Sequence, residues 1–347
     1  MAPSAHPDLD NLTDDQILDL RFSELGLRIE GTFLEGAIQA LYGELETRGL
    51  VFRPPCYLGD EWFSPDGSPT VALPFYLAHP RLMQIEKRMM LEIEGGESPA
   101  STLKLLRHEC GHSLCHAYQL VRRRDWRRVF GSPKTPYRDY YRVHPYSRNF
   151  VRHLENWYAQ SHPEEDFAET FAVWLAPGDA WRQAYRGWPA LRKLEFVDVL
   201  MKEIGSRAAP VTKPDFSYSV SRMRKRLRRH YQERHRLYAE DDPGFFDRDL
   251  TRIFAKKEVH PEGAPAPSFL ARHRKALLAQ VSHFTRERKV IVNRLLTRLS
   301  VRSRELKLRV PPDESTALVA LASLLAALST HYLFTGRFKK DDHGPVT

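Results

Sequence analysis

Two histidines and a glutamate occur at a spacing that suits metal-dependent hydrolysis. Residues 108–112 read His-Glu-Cys-Gly-His, which fits the pattern H-E-x-x-H. On an α-helix, residues four positions apart lie on one face, about 6 Å apart along the axis, so the two imidazoles can bind one tetrahedral Zn2+ ion. Glu109, beside them, can accept a proton from an activated water and pass it to a leaving amine. The spacing therefore predicts a hydrolytic zinc site on His108 and His112.

The site needs a third protein ligand. One class of zinc peptidase places a glycine and a histidine three and six residues after the second histidine. In this chain those positions are Cys115 and Tyr118, so the sequence does not fit that class. A later predicted helix offers carboxylates instead, because Glu165 and Glu169 are four residues apart and share a face. One of them can bind the metal while the other orients a ligand histidine through a hydrogen bond. From the residues alone, Glu164 and Asp166 are alternative ligands.

These two motifs together resemble the gluzincin metallopeptidases. His108 to His112 is followed by Glu165-Asp166-Phe167-Ala168-Glu169. More narrowly, the pair is similar to the bacterial family described as "putative zinc-binding metallopeptidase", whose members carry H-E-x-G-H and then E-D-F-A-E-T-F-A. Two further segments look like that family: 60–67 and 74–80. The resemblance covers most of residues 20 to 255 and implies a zinc-dependent peptidase that acts on a peptide or protein substrate.

The resemblance also implies roles for individual residues. In the gluzincin pattern the first glutamate of the later motif binds zinc, which maps to Glu165, and the second contacts a ligand histidine, which maps to Glu169. In the lethal-factor type, a tyrosine at the offset of Tyr158 donates a hydrogen bond to the oxyanion. A core position for Tyr158 beside Trp157 is the alternative. Other candidates for the donor lie on the preceding loop: Tyr137, Tyr140, Tyr141, His144 and Tyr146.

Composition is that of a globular protein. Of 347 residues, 42% are hydrophobic and 28% are charged, which allows a sizeable core and argues against general disorder. The odd, low number of cysteines (Cys56, Cys110 and Cys115) argues against a disulfide framework. Cys115 and the neighbouring His116 could approach the metal, but packing explains them better. Residues 1–10 show no signal-peptide pattern, so we expect a cytoplasmic protein.

A basic segment suggests an alternative function. The formal charge is +9, and residues 221–236 hold eight of the basic side chains. Met223, Leu227 and Tyr231 form one narrow apolar line at helical spacing. The segment can be a solvated helix packed through that line, or it can bind an anionic partner such as nucleic acid or an acidic protein. The alternative to a peptidase is therefore a non-catalytic, zinc-stabilised scaffold that binds such a partner through its basic helices. Glu109 favours the enzyme, because a structural zinc site needs no water-activating carboxylate.

Periodicity predicts a helix-dominated α+β fold, with helices over about 149–160 and 163–175 among others, and the resemblance implies that the fold is zincin-like. A small sheet from the first 80 residues is expected to pack on the His108 helix, with the Glu165 helix facing it. Candidate strands are 25–29, 51–58 and 70–77, the last as an edge that could bind a peptide. We expect a catalytic domain over residues 1–209 and a helical C-terminal extension over 210–347.

An uncharged stretch near the C-terminus has almost the length of a membrane span. Residues 315–335 read STALVALASLLAALSTHYLFT, and a basic segment, 337–340, follows. Alanine, serine and threonine dilute its hydrophobicity, and His331 lies within it. We therefore expect a buried helix and no membrane partner.

Overall fold

The chain divides into two compact units. A computed structural model describes residues 7–137, 141, 143–236 and 246–335. The first unit comprises residues 1–89, 93–138 and 143–234, and the second comprises 90–92, 139–142 and 235–347. Residues 210–234, which the sequence analysis assigned to the extension, therefore have their contacts within the first unit.

The first unit is mainly helical and contains a small sheet, which agrees with the predicted α+β class. Its helices are α1 (Asp14–Asp19), α2 (Phe33–Thr47), α3 (Pro80–Met90), α4 (Pro99–Ala117), α5 (Arg124–Phe130), α6 (Pro163–Leu175), α7 (Ala180–Ala184), α8 (Leu191–Ile204) and α9 (Leu227–Arg236), with α3 and α9 each extending slightly past its boundary. Its strands are β1 (Cys56–Gly59) and β2 (Val71–Pro74).

The sheet of the first unit is smaller than predicted. β1 and β2 pair in parallel, with Tyr57 opposite Ala72. The predicted strand at residues 25–29 is wrong, because this segment has no strand partner and Gly26 adopts a φ of 63°. β2 is fully buried, and the N–H of Ala72 donates to the carbonyl of Phe63 at 2.8 Å. This backbone donor of β2 is therefore already bonded within the chain.

The sequence explains where α4 and α6 begin. Ser98 caps α4 by accepting a hydrogen bond from the N–H of Ser101, and Pro99 occupies the first turn, where its missing N–H costs nothing. His162 caps α6 in the same way, and Pro163 follows it. Acidic residues in the first turn of α6 suit the positive end of the helix dipole.

The two helices approach closely at Gly111 of α4. A Cβ atom at this position would lie 2.9 Å from the Cα of Ala168 in α6, closer than side chains normally pack. β2 also contacts α4. The arrangement of small sheet, α4 and α6 is therefore the predicted one, and the packing of α4 on α6 brings the two sequence motifs together.

Two predicted helices are shorter than expected. Within 149–160 only Glu155–Gln160 is helical, as a 3-10 turn interrupted where Asn156 and Trp157 adopt positive φ angles of 62° and 54°. In the basic segment the α-helix begins at Leu227, so Met223 lies outside it. Leu227 and Tyr231, the rest of the predicted apolar line, are fully buried.

The second unit contains four helices and a short antiparallel ladder among its described residues. The helices are α10 (Asp247–Ile253), α11 (Ala266–Thr285), α12 (Lys289–Glu305) and α13 (Glu314–Thr335), and the strands are β3 (Ala255–Lys256) and β4 (Leu308–Arg309). In the described part of the chain, Glu314–Phe334 alone is long and apolar enough to cross a membrane by length and composition. The predicted helix is present, but only 28% of its most apolar 18 residues are buried. The buried residues recur every three or four positions and so form one face of the helix.

Candidate metal centre

Three buried side chains direct their ligand atoms at one point between α4 and α6. Nε2 of His112 lies 3.2 Å from Nε2 of His108 and 3.0 Å from Oε2 of Glu165. Nε2 of His108 lies 3.1 Å from the same oxygen. All three residues are at least nine-tenths buried. The structure thus brings together the two histidines and the carboxylate that the sequence analysis predicted as ligands.

These atoms fit a zinc ion by chemistry and by spacing. Zinc bonds to nitrogen and oxygen at about 2.0–2.1 Å, which separates tetrahedral ligand atoms by roughly 3.4 Å. Separations of 3.0 to 3.2 Å are close to that value. Two imidazole nitrogens that face each other also need a proton or a cation between them, since two lone pairs repel. His108, His112 and Glu165 can therefore hold the metal, and a site with three protein ligands would leave a position for water or substrate.

Glu169 orients His108 and is not available as a ligand. Its Oε1 lies 3.0 Å from Nδ1 of His108. Because a carboxylate oxygen accepts, Nδ1 carries the hydrogen and Nε2 presents its lone pair to the metal position. The other oxygen, Oε2, accepts the backbone N–H groups of His153 at 3.3 Å and Leu154 at 2.8 Å. This contact with His108 is the one that the orienting role implied by the resemblance requires.

The electrostatics of the metal-free site are those of a cation pocket. Burial opposes the charged form of His108, but hydrogen bonds to Glu165 and Glu169 outweigh it and raise the pKa of His108 to about 10. Burial opposes ionisation of Glu165 too, yet the charge of His112 and hydrogen bonds with both histidines lower the pKa of Glu165. The pocket therefore favours a bound positive charge at neutral pH.

Glu109 follows His108 on α4 and is buried, with 7% of its surface exposed. Burial raises the pKa of Glu109, against the opposing charges of His108 and His112. A carboxylate with a raised pKa is a stronger base than an exposed one. Its position next to His108 on α4 is compatible with the predicted general-base role.

The tyrosines proposed as oxyanion donors occupy different places. The ring of Tyr158 lies 5.6 Å from the ring of His108, centroid to centroid. The hydroxyl of Tyr137 donates to Oε1 of Glu165 at 3.2 Å. Tyr146 is 94% exposed, and the backbone of His144 bonds to Gln160. Tyr140 lies outside the described residues.

The alternative ligand residues lie outside the group of described side chains that could hold a metal ion. Asp166 forms a 2.6 Å ion pair with Lys193. Nε2 of His116 lies 3.9 Å from Asp66, and burial lowers the pKa of His116 to about 4. Cys110 and Cys115 are buried and unpaired. Glu164 is part of the first turn of α6 but not of the group of atoms that could hold a metal ion.

Sequence reasoning missed the residues that support the ligands from irregular segments. His153 and Leu154 act through backbone N–H groups, which any residue other than proline can supply. His162 was missed as well, although a histidine followed by proline at a helix start was visible. Its side chain links the helix to the preceding loop.

Residues 86–213 match the model of a family described as "Putative zinc-binding metallo-peptidase". The matched family is the one that the two motifs resemble. It contains the five residues assigned to metal binding, orientation and proton transfer: His108, Glu109, His112, Glu165 and Glu169. The comparisons with curated proteins and with solved structures found no match.

Proposed function

We propose that this protein is a zinc-dependent metallopeptidase with a zincin-like catalytic unit. The observation that carries the proposal is the convergence of Nε2 of His108, Nε2 of His112 and Oε2 of Glu165, with Glu109 next to them on α4. A purely structural zinc site has four protein ligands and no need of a base. Three ligands with an adjacent buried carboxylate are typical of a hydrolytic site.

Each residue has a defined part in peptide hydrolysis. When bound, the zinc ion polarises the substrate carbonyl and makes water a stronger nucleophile. Glu109 accepts the proton of the attacking water on its carboxylate and transfers it to the nitrogen of the leaving amine. His108 keeps its Nδ1 proton on the side of Glu169, so its Nε2 remains a ligand throughout.

Tyr158 is the proposed donor to the oxyanion. Its ring packs 5.6 Å from the ring of His108, so the phenol is near the metal ligands. A hydrogen-bond donor placed where negative charge develops typically contributes about 3–4 kcal/mol to lowering the barrier. Peptides or proteins are the proposed substrates. The free cysteines suit the proposed cytoplasmic location.

Metal content and one conservative substitution test this function. Protein purified without added metal and without a metal-binding tag should contain about one zinc per chain, because one set of three ligands binds one ion. Glu109→Gln is expected to retain the zinc and lose at least 100-fold in the rate of peptide cleavage, because the amide cannot accept the proton. Elemental mass spectrometry and cleavage of a peptide library measure the two quantities.

Two outcomes contradict the proposal. One is a wild-type chain that contains no zinc and takes none up at neutral pH. The other is a Glu109→Gln variant that cleaves peptides as fast as the wild type. Glu97→Gln serves as a control, since it makes the same chemical change at an exposed residue outside the group of ligand atoms.

A further inference from the structure

A tyrosine from the segment after α5 reaches the third ligand. The hydroxyl of Tyr137 donates to Oε1 of Glu165 at 3.2 Å. Oε2 of the same carboxylate is the atom that faces Nε2 of both histidines. The two oxygens of Glu165 therefore have different partners: one faces the metal position, and the other accepts a hydrogen bond from a phenol.

The ring of Tyr137 is itself held in place by His162. The two rings stack with their centroids 3.7 Å apart and their planes 21° apart. Nε2 of His162 lies 2.8 Å from the carbonyl of Thr135, and its Nδ1 accepts the backbone N–H of Glu164 at 3.2 Å. One imidazole thus joins the segment that carries Tyr137 to the first turn of α6, which carries Glu165.

The segment before Tyr137 forms a local turn. The backbone N–H and the hydroxyl of Thr135 both donate to the carbonyl of Ser132, at 3.1 and 2.8 Å. Tyr137 is 60% exposed, so its ring is a minor part of the core. Removing its hydroxyl should therefore delete one hydrogen bond and leave the fold intact.

We infer that Tyr137 is a positioning residue for the metal site. Its hydroxyl fixes the orientation of the Glu165 carboxylate, so that Oε2 points at the position between the two histidines. Without this hydrogen bond the carboxylate can rotate about its terminal side-chain torsion. It would then point either oxygen, or neither, at the position between the two histidines. Hydrogen bonds to metal ligands of this kind typically contribute about 10–100-fold to metal affinity. The inference rests on the proposed zinc site.

The experiment compares three full-length chains: wild type, Tyr137→Phe and Tyr118→Phe. Tyr118 follows α4 and donates its hydroxyl to the carbonyl of Arg207 at 2.6 Å, so its substitution removes a similar hydrogen bond away from the ligand atoms. Zinc affinity is measured at neutral pH by competition with a chromophoric chelator. Thermal unfolding of the metal-free proteins is measured in parallel.

Tyr137→Phe is expected to bind zinc about 10-fold more weakly than the wild type, with unchanged unfolding of the metal-free protein. The visible absorption spectrum of the cobalt-loaded protein should also change, because it reports the ligand geometry of the metal. Tyr118→Phe should match the wild type in affinity and spectrum.

The outcomes separate this inference from the proposed function. A wild-type chain that binds neither metal overturns the proposed function and the inference with it. A wild type that binds zinc while Tyr137→Phe binds it equally well overturns the inference alone. Equal losses of affinity in Tyr137→Phe and Tyr118→Phe would also overturn it, since the effect would then not depend on contact with Glu165.

Discussion

Each carboxylate around the two histidines has its own set of partners. Glu165 divides its oxygens between the ligand atoms and Tyr137, and Glu169 divides its oxygens between His108 and two backbone N–H groups. A buried carboxylate without such partners costs several kcal/mol. Each of these carboxylates is therefore held by more than one partner, so loss of a single hydrogen bond still leaves it partnered.

A buried acid in the second unit, Glu287, has less support: its Oε1 accepts the N–H of Arg288 at 2.8 Å, and its behaviour with pH can be predicted. Glu287 lies between α11 and α12 with 7% of its surface exposed, and its Oε2 has no hydrogen-bond partner in the described part of the chain. Burial raises the pKa of Glu287 from 4.5 to about 7. The folded protein therefore binds this proton more tightly than the unfolded chain, and stability falls as pH rises from about 4.5 to 7.

Glu287→Gln should remove this pH-dependent loss. The amide carries no charge to bury, so the variant should be more stable than the wild type by roughly 3 kcal/mol at pH 8 and by much less at pH 5. Denaturant unfolding at both pH values measures the difference. Glu262→Gln, at an exposed position, is the control and should change stability little at either pH. A Glu287→Gln difference that is equal at the two pH values would contradict the prediction.

For individual residues, the sequence identifies the metal ligands better than it identifies the groups that hydrogen-bond to those ligands. His108, His112 and Glu165 follow from helical spacing and from the resemblance, because a helix fixes which side chains share a face. Tyr137 was one of several candidates, and its contact with Glu165 depends on a loop whose path has no periodicity. The backbone donors to Glu169 leave no mark in the sequence.

Among the elements, the contact between α4 and α6 determines whether the site can form. Gly111 is the residue between the two histidine ligands that lets the helices approach, because a side chain there would meet the backbone of Ala168 at 2.9 Å. The neighbour is backbone inside a helix, so it cannot rotate away. A larger residue must push the two helices apart and separate His112 from Glu165.

Gly111→Ala should therefore destabilise the protein and weaken zinc binding, although alanine favours helices. Overpacking of this kind destabilises a protein by about 1–3 kcal/mol. Replacing glycine with alanine in a helix stabilises it by about 1 kcal/mol, so the upper part of the overpacking range outweighs that gain. Gly36→Ala in α2 is the control, since its added Cβ meets nothing within 4 Å, and it should stabilise the protein slightly. Thermal unfolding and chelator competition measure both effects. Gly111→Ala with wild-type zinc affinity would contradict this account.

Elements with strong local signals were predicted well, and those governed by backbone conformation were not. The helix over Pro163–Leu175 has a capping residue, a proline in its first turn and an acidic start, and it occurs as predicted. The segment 149–160 has apolar residues at helical spacing, but left-handed residues at Asn156 and Trp157 break it. Propensity does not anticipate such conformations, because tertiary contacts stabilise them.

At the scale of the whole molecule, three arginines of α9 have acidic partners. Arg228 pairs with Asp19 at 2.7 Å, and Arg229 pairs with Glu233 at 2.7 Å. Arg234 forms a 2.8 Å ion pair with the buried Glu86. These partners offset much of the charge that suggested an anionic ligand. The helix is better explained as a solvated face held to the first unit by ion pairs and by the buried Leu227 and Tyr231.

We therefore expect the protein to bind nucleic acid weakly. Non-specific binding depends on free cations that release counterions from phosphates, and paired arginines contribute less to it. Fluorescence polarisation with a labelled single-stranded RNA should give a dissociation constant weaker than about 10 µM at about 150 mM salt. The control is a variant with Arg224, Arg228 and Arg229 changed to Gln, which should bind as weakly as the wild type. Tight, salt-dependent binding by the wild type that this variant loses would contradict the expectation and would make the scaffold function the better explanation of the basic segment.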